Sequence, residues 1–231
     1  MAEECRVRVI GLVGGAFLDE EHSVEGASTA GELVERLGLG GAAVYAGGRR
    51  LEPSDQLPRG CQGVAVLAPP PGVLLARVAE PGERVDLDGL SRLMARRATL
   101  LGGGALVAFM GFVKGRVGGA EVSRLEYEAL EPHATRRLRE LAEKYAGLPG
   151  VIDVAAIHYQ GGLGPGDPTI YILVTAVTRS IAFHAAALLL EEVKHSVPIY
   201  KLERRSDGDY WILGDGTRIP RGTERQTHPQ L

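Results

Sequence analysis

The sequence predicts an α+β fold in two parts, a small part of short elements before residue 72 and a larger α/β sandwich after it. The run Pro69-Pro70-Pro71-Gly72 marks the boundary, because successive prolines cannot donate ladder hydrogen bonds and favour extended polyproline geometry. Before this run the apolar stretches are short and separated by glycine turns, whereas after it longer helical and strand-like stretches alternate. The 45% hydrophobic content is ample for a buried core.

The first part is predicted to be a small β-grasp, or ubiquitin-like, module. Residues 5–10 alternate apolar and polar side chains as a strand does, and a second strand is expected within 16–24. Thr29 is a suitable N-cap for a helix over 30–37, which the glycines from Gly38 onward end. Short strand-like segments follow at residues 43–45, 50–51 and 63–68. The order ββαββ within about seventy residues is typical of that module.

The second part alternates strands and helices, which predicts the sandwich. Helices are expected at 87–97, 132–146 and 180–194, and strands at 105–113, 122–129, 151–159, 169–177, 199–204 and 210–212. The helix over 180–194 is apolar nearly all round in its middle, so we expect it to be buried. The glycine-rich segment 161–166 joins two strands and leads to no helix, so it is interpreted as a turn. The segment 214–231 is polar and is expected to be a loose tail.

Composition excludes several function classes. No basic stripe interleaved with aromatic residues indicates nucleic acid binding, and no apolar run approaches the length of a membrane span. The acidic start lacks a basic-then-apolar targeting pattern, so a soluble, cytoplasmic protein is expected. Cys5 and Cys61 are too few for a disulfide framework or a metal site, and buried inert thiols are expected. His158 and His184 lack a second metal ligand at useful spacing, and His133 and His195 are expected to be exposed.

Lysine is scarce, which draws attention to the positions that keep it. Only Lys114, Lys144, Lys194 and Lys201 occur among the 26 basic residues, and the rest are arginines. An ammonium can lose a proton and act as an acid, base or nucleophile, whereas a guanidinium cannot. Lys194 and Lys201 lie seven residues apart around a helix-to-strand turn. Singly each is best explained as a surface charge, but together they favour a shared anionic or reacting site.

Two further basic segments could bind an anion. Arg179 lies where a strand meets a helix, with Ser180 as the expected N-cap, and a helix N-terminus attracts anions. A salt-bridged or solvated Arg179 is an equally good explanation. Lys114 and Arg116 lie in a glycine-containing loop at the end of a strand, where the alternative is a hairpin with solvated charges.

Several segments of the second part, taken in order, carry a family resemblance. They are Ala108-Phe109-Met110-Gly111-Phe112-Val113-Lys114, Leu125-Glu126-Tyr127-Glu128, Ile157-His158, Thr175-Ala176-Val177-Thr178-Arg179-Ser180-Ile181-Ala182-Phe183 and Pro198-Ile199-Tyr200-Lys201-Leu202-Glu203. Residues 75–213 resemble the large, catalytic subunit of molybdopterin synthase. The first seventy-odd residues are similar, more loosely, to the small ubiquitin-like sulfur-carrier subunit of that enzyme. The chain therefore resembles a fusion of the two subunits, with 1–72 carrier-like, 73–213 catalytic and 214–231 a tail.

The resemblance implies an activity and its participants. In this family, cyclic pyranopterin monophosphate becomes molybdopterin, and the dithiolene sulfur arrives as a thiocarboxylate on the carrier's C-terminal tail, with no metal or organic cofactor. By resemblance, Lys194 lies beside the thiocarboxylate and Lys201 is the second active-site lysine. Arg179 corresponds to an arginine that binds the substrate phosphate from the other subunit of a dimer, and Phe109 corresponds to a pocket wall.

The chain also departs from the family pattern. Lys114 stands where the family has an arginine, with Arg116 as a compensating cation, and Thr178 stands where a basic residue or histidine is common. Gly72 is the candidate carrier terminus, but the chain runs straight on to Val73, and a thiocarboxylate needs a free carboxyl group. We therefore expect the first part to dock or stabilise while a separate carrier protein delivers sulfur. A precursor cleaved near Gly72 and a non-enzymatic adaptor are the alternatives.

Overall fold

The computed structural model describes residues 4–222, which form fifteen strands and four α-helices within that range. The strands are β1 Glu4–Val13, β2 Ala16–Glu25, β3 Ala43–Ala46, β4 Arg49–Leu51, β5 Val64–Ala68, β6 Gly72–Ala79, β7 Ala105–Phe112, β8 Arg116–Val117, β9 Ala120–Ala129, β10 Val151–Tyr159, β11 Gly161–Leu163, β12 Pro168–Ala176, β13 Ile199–Arg205, β14 Gly208–Ile212 and β15 Arg218–Pro220. The helices are α1 Ala30–Arg36, α2 Leu87–Thr99, α3 His133–Ala146 and α4 Arg179–Ser196.

The first five strands form one sheet in the order β2-β1-β5-β3-β4, with α1 packed on one face. β1 and β5 run parallel, and the other neighbouring strands are antiparallel. Thr29 caps α1 as predicted, since its side chain accepts from the Glu32 N–H while Glu32 reciprocates at the Thr29 N–H. The helix and the strands predicted for this part are confirmed, with differences of one to three residues at their ends.

The two cysteines contradict the prediction of free thiols. Cys5 on β1 and Cys61 in the turn before β5 are both buried, as expected, but their sulfur atoms are bonded to each other as a disulfide. Their separation of 56 residues hid the pairing, because β1 and the turn are brought together only by the parallel β1–β5 contact. The disulfide is part of the apolar core between the first sheet and α1.

The second part is built on a four-stranded sheet in the order β6-β10-β12-β7. Its central strands β10 and β12 are buried on both faces, which explains their nearly continuous apolar sequences. One face packs against α3 and α4. The other face packs against α2 and against β9, which belongs to a second sheet in the order β11-β9-β13-β14-β15. The predicted sandwich of sheets and helices is therefore present.

Several predictions for the second part were wrong. Residues 161–163 of the segment interpreted as a turn form β11, which pairs with β9. α4 is buried on one face only, since Phe183 is 64% exposed and Leu188 is 42% exposed. Its apolar middle therefore has two faces, of which the chain itself covers one. The segment expected to be a loose tail from residue 214 contains β15, which pairs with β14. Residues 223–231 of the predicted tail lie outside the described range.

The two parts share an apolar core, and a buried arginine of the second part contacts both. Ile10, Tyr45 and Leu67 of the first sheet belong to the same apolar cluster as α2 and the inner face of β10 and β12. Arg97 on α2 and Asp153 on β10 are fully buried and paired in a bidentate manner at 2.8 and 3.0 Å. Arg97 also donates to the backbone carbonyl of Ile10 at 3.3 Å, so the same side chain touches both parts. None of the helices among residues 4–222 is long and apolar enough to cross a membrane.

Candidate active site

A pocket of about 730 Å³ lies where the C-terminal end of α4 meets β13, the end of β7 and the β14–β15 loop. We call it the lysine pocket, because Lys114, Lys194 and Lys201 all line it. The fourth lysine, Lys144, lies elsewhere, on α3, in an ion pair with Glu192. Three of the four positions singled out by lysine scarcity thus meet in space, although they come from the β7–β8 loop, α4 and β13.

Lys201 is the most enclosed of the three lysines. It lies on β13 opposite Tyr127 of β9, and its Nζ is 5.6 Å from the centre of the Tyr127 ring. Burial lowers the pKa of Lys201, and the nearby cations Arg218, Lys114 and Lys194 lower it further, whereas Glu203 opposes them. A lysine in this setting exchanges its proton closer to neutral pH than a solvated lysine does.

Lys194 occupies the last turn of α4, so the helix dipole favours its charge. Its Nζ is 3.2 Å from Oε1 of Glu191, one turn earlier, and the side chain remains 46% exposed. Such an exposed pair is held weakly, which leaves the ammonium available to an incoming anion. Pro198 follows the helix end, and its position before β13 brings the two lysines to the same pocket.

Lys114 and Phe109 form the β7 side of the pocket. Phe109 lies on an edge strand and is 37% exposed, and Lys114 follows the strand as an exposed residue. Gly111 also lines the pocket, and a Cβ at this position would come within 2.8 Å of the Ile170 side chain. The glycine therefore lets β7 pack closely against β12 beside the pocket.

His158 and Tyr127 make the pocket floor uncharged near neutral pH. Their rings meet edge to face, with centroids 5.1 Å apart, and Nδ1 of His158 lies 2.7 Å from the Tyr159 carbonyl oxygen. Burial lowers the pKa of His158 to about 4 and raises that of Tyr127 to about 12. His158 is half-buried at the bottom of the pocket, which it lines.

Four of the candidate residues lie away from the lysine pocket. Arg179 begins α4, and a rise of about 1.5 Å per residue places it about 22 Å from Lys194 along the helix. Thr178 is the N-cap of α4, so the prediction that Ser180 caps this helix was wrong. Arg116 is exposed and paired with Glu121 at 2.9 Å in the β8–β9 hairpin. Gly72 pairs with Asp153 at the start of β10, whereas the pocket residue His158 is near the other end of that strand.

Sequence reasoning missed the acidic and basic groups on the far wall of the pocket. Glu203 lies two residues after Lys201 on β13 and therefore on the same face, a relation that strand periodicity could have indicated. Arg218 on β15 and Asp215 in the preceding loop also line the pocket. No local pattern predicted Asp215 and Arg218, because residues 214–231 were expected to be a loose tail. Among residues 4–222 no group of three or more His, Cys, Asp or Glu residues could hold a metal ion.

Comparisons with known proteins agree on one family. The family model described as "MoaE protein" matches residues 82–196, which include Lys114 and Lys194 but end before Lys201. The molybdopterin synthase catalytic subunit of Pyrococcus abyssi is 34% identical over 112 residues, covering 48% of this chain and 76% of that protein. The molybdopterin synthase catalytic subunit of Bacillus subtilis is 36% identical over 113 residues, covering 47% of this chain and 69% of that protein.

A solved structure shows the same likeness in three dimensions. The crystal structure of molybdopterin synthase from Staphylococcus aureus superposes with a TM-score of 0.52 at 28% sequence identity. The match covers 59% of this chain and 95% of the other, so nearly all of that chain has a counterpart here.

Proposed function

This chain belongs to the family of molybdopterin synthase catalytic subunits, enzymes of molybdenum cofactor biosynthesis, and we propose how its residues transfer sulfur to form the molybdopterin dithiolene. The substrate is cyclic pyranopterin monophosphate, and the sulfur donor is a carrier protein's C-terminal thiocarboxylate. The observation that carries the proposal is the meeting of Lys114, Lys194 and Lys201 in one pocket. Both reactants are anionic, so a pocket lined by cations attracts them.

The two lysines near the end of α4 take different roles because their surroundings differ. Lys194 is partly exposed and weakly paired, so it binds the thiocarboxylate as the carrier tail enters. Lys201 is partly buried with a lowered pKa, so it serves as the acid or base when a proton must move at the reacting carbon. Lys114 and the wall residue Phe109 hold the substrate against the other side of the pocket.

The second copy in a homodimer supplies the phosphate site. β7 is an edge strand whose Met110 and Phe112 are exposed, and α4 exposes Phe183 and Leu188. Exposed apolar side chains on adjoining elements support an interface on this face. Arg179 and the Thr178 cap stand at the start of α4, too far along the helix to serve their own pocket, so they serve the pocket of the other copy. Arg116 is left outside this arrangement.

The first part acts as a permanently docked, carrier-like domain of β-grasp type. Its strand order and single helix support that assignment. Its core is continuous with the second part, and the Gly72 N–H donates to Oδ1 of Asp153 at 3.2 Å. If the first part ended at Gly72, its terminus would lie at the start of β10, whereas the lysine pocket lies at the other end of that strand. A separate thiocarboxylated carrier is therefore the sulfur donor.

The test is reconstitution with purified chain, cyclic pyranopterin monophosphate and a separately prepared thiocarboxylated carrier. We expect molybdopterin formation, and a fall of at least about 100-fold for Lys201→Ala at an unchanged melting temperature, the range general acid–base catalysis supplies. Lys144→Ala is the matched control, because Lys144 lies outside the pocket. An adaptor without enzymatic activity would make no molybdopterin, and Lys201→Ala would then differ from the unmodified chain in nothing but stability.

Intact-mass spectrometry of the purified protein tests the docked-domain proposal separately. An uncleaved chain near 24.6 kDa that is active only with added carrier is the expected result. Two fragments divided near Gly72, with a thiocarboxylate on the first, would instead establish the cleaved precursor.

A further inference from the structure

The hairpin formed by β14 and β15 is a built wall of the lysine pocket. Leu213, Gly214, Asp215 and Arg218 line the pocket, and the turn is closed by the hydrogen bond from the Leu213 N–H to the Thr217 carbonyl at 2.9 Å. Gly214 packs directly on the end of α4, since a Cβ there would come within 2.6 Å of the Lys194 carbonyl oxygen. The hairpin is therefore fixed against the same helix turn that carries a pocket lysine.

Arg218 binds the buried carboxylate of the pocket. Its Nε donates to Oε1 of Glu203 at 3.1 Å, and the Glu203 side chain is only 4% exposed. Arg205 approaches the same oxygen at 3.7 Å, but its own hydrogen bonds go to Asp207. A buried carboxylate needs a cation and a hydrogen-bond donor, and within the described residues Arg218 supplies both.

Glu203 and Lys201 are neighbours of opposite charge on one face of β13. They lie two residues apart on β13 and face the same pocket, so an unpaired Glu203 would attract the Lys201 ammonium toward itself. The charged or titratable groups that line the pocket with Lys201 are Lys114, Tyr127, His158, Glu191, Lys194, His195, Glu203, Asp215 and Arg218. Of the three carboxylates, Glu203 is the one that is buried and that raises the pKa of Lys201, so its partner affects how strongly Lys201 is held.

We propose that Arg218 is a positioning residue, which keeps Lys201 free for the sulfur-transfer reaction by holding the Glu203 carboxylate. The inference rests on the proposed function for its role in catalysis, but the arrangement itself is testable without turnover. The negative charge of Glu203 raises the pKa of Lys201, whereas Arg218 lowers it, so the pair acts on Lys201 in opposite directions. When Arg218 alone is removed, it no longer opposes the increase in the pKa of Lys201 that the Glu203 charge causes.

The test uses the small number of lysines in the chain. Reductive methylation with ¹³C-formaldehyde labels four lysine side chains and the N-terminus, and Lys201→Arg assigns the Lys201 signal for an NMR titration. We expect Arg218→Gln to raise the titration midpoint of Lys201 by about one pH unit, a tenfold change in the neutral fraction. The double variant Arg218→Gln/Glu203→Gln should return the midpoint toward its original value, and Arg218→Lys should keep it.

Each outcome decides the proposal. An unchanged midpoint in Arg218→Gln, or a double variant that stays shifted, would show that Arg218 does not act through Glu203. Because Arg218→Gln leaves the buried Glu203 carboxylate with only the 3.7 Å contact to Arg205, Glu203→Gln alone provides a second measurement. We expect a lowered midpoint in Glu203→Gln, and an unchanged midpoint would contradict the proposal. In the reconstituted reaction, the limb of the pH–kcat profile that reports on Lys201 should shift to higher pH in Arg218→Gln. A chain without sulfur-transfer activity would leave the titration result standing, so the two failures are distinguishable.

Discussion

Lysine and arginine are not interchangeable in the pocket, and the reason is visible around Lys201. The side chain is enclosed by Tyr127 and by the β14–β15 hairpin, and burial lowers its pKa. An arginine there would stay charged at any pH the protein meets, so it could hold an anion but could not pass a proton. The chain uses arginine for 22 of its 26 basic residues, yet a lysine, which can exchange a proton, occupies this position in the pocket.

His158 makes the stability of the fold depend on pH. Its pKa is lowered to about 4 by burial, against about 6.5 in an unfolded chain. Above pH 6.5 both states are neutral at this residue, whereas below it the unfolded chain binds a proton that the folded chain does not. We therefore expect His158 to reduce the free energy of unfolding by about 2 kcal/mol between pH 7 and pH 5.

Chemical denaturation at the two pH values measures this contribution. His158→Gln should lose about 2 kcal/mol less than the unmodified protein over that interval, whatever its stability at pH 7. His133→Gln, at the exposed start of α3, is the control and should behave as the unmodified protein does. Equal losses in all three proteins would mean that His158 takes up a proton while folded.

At the scale of elements, the four helices and eleven of the fifteen strands within residues 4–222 followed from the sequence, whereas β6, β8, β11 and β15 were not predicted. Most errors arose where long-range contacts decide. The capped helix α1 and the alternating strand β9 were predictable because their signals are local. The Cys5–Cys61 disulfide depends on a pairing 56 residues apart, and β15 forms because β14 is already there to pair with it. Lys194 and Lys201 could be found from spacing, but Arg218 joins them only through the folded hairpin.

The junction between α2 and β10 depends on the buried Arg97–Asp153 pair. Removing one partner leaves an uncompensated charge in a fully buried position, so Arg97→Ala should lower the free energy of unfolding by about 3–5 kcal/mol. The adjacent Arg96→Ala is the matched control, because the Arg96 side chain is 56% exposed and pairs with Asp19 at the surface. That variant should cost no more than about 1 kcal/mol.

Denaturant unfolding of both variants also reports on the two parts of the chain. Because Arg97 touches Ile10 as well as Asp153, we expect a single transition in which both parts unfold together. If Arg97→Ala loses no more stability than Arg96→Ala, the buried pair does not stabilise this junction as proposed. A separate early transition confined to the first part would contradict the shared core.

At the scale of the whole molecule, the first part is packed against the second at a distance from the pocket mouth. The shared core and the Arg97 contacts hold the first sheet against α2, whereas the lysine pocket opens at the other end of β10. A domain held in this way cannot carry its own end to the pocket. Exposed apolar residues remain on β7 and α4, which is where we propose that a second copy docks.

Mixed dimers test whether two copies share each site. In the proposed homodimer Arg179 serves the other copy's pocket, because about 22 Å of helix separates it from Lys194 of its own chain. Arg179→Ala and Lys201→Ala proteins should each be nearly inactive in the reconstituted reaction. After the two are unfolded and refolded together, half of the dimers should be mixed, and each mixed dimer has one pocket with both residues intact. About a quarter of the unmodified activity should then return. Mixing either variant with itself is the control, and no recovery in the true mixture would mean that Arg179 acts within its own chain. An Arg179→Ala protein that is fully active by itself would mean that Arg179 takes no part in the reaction.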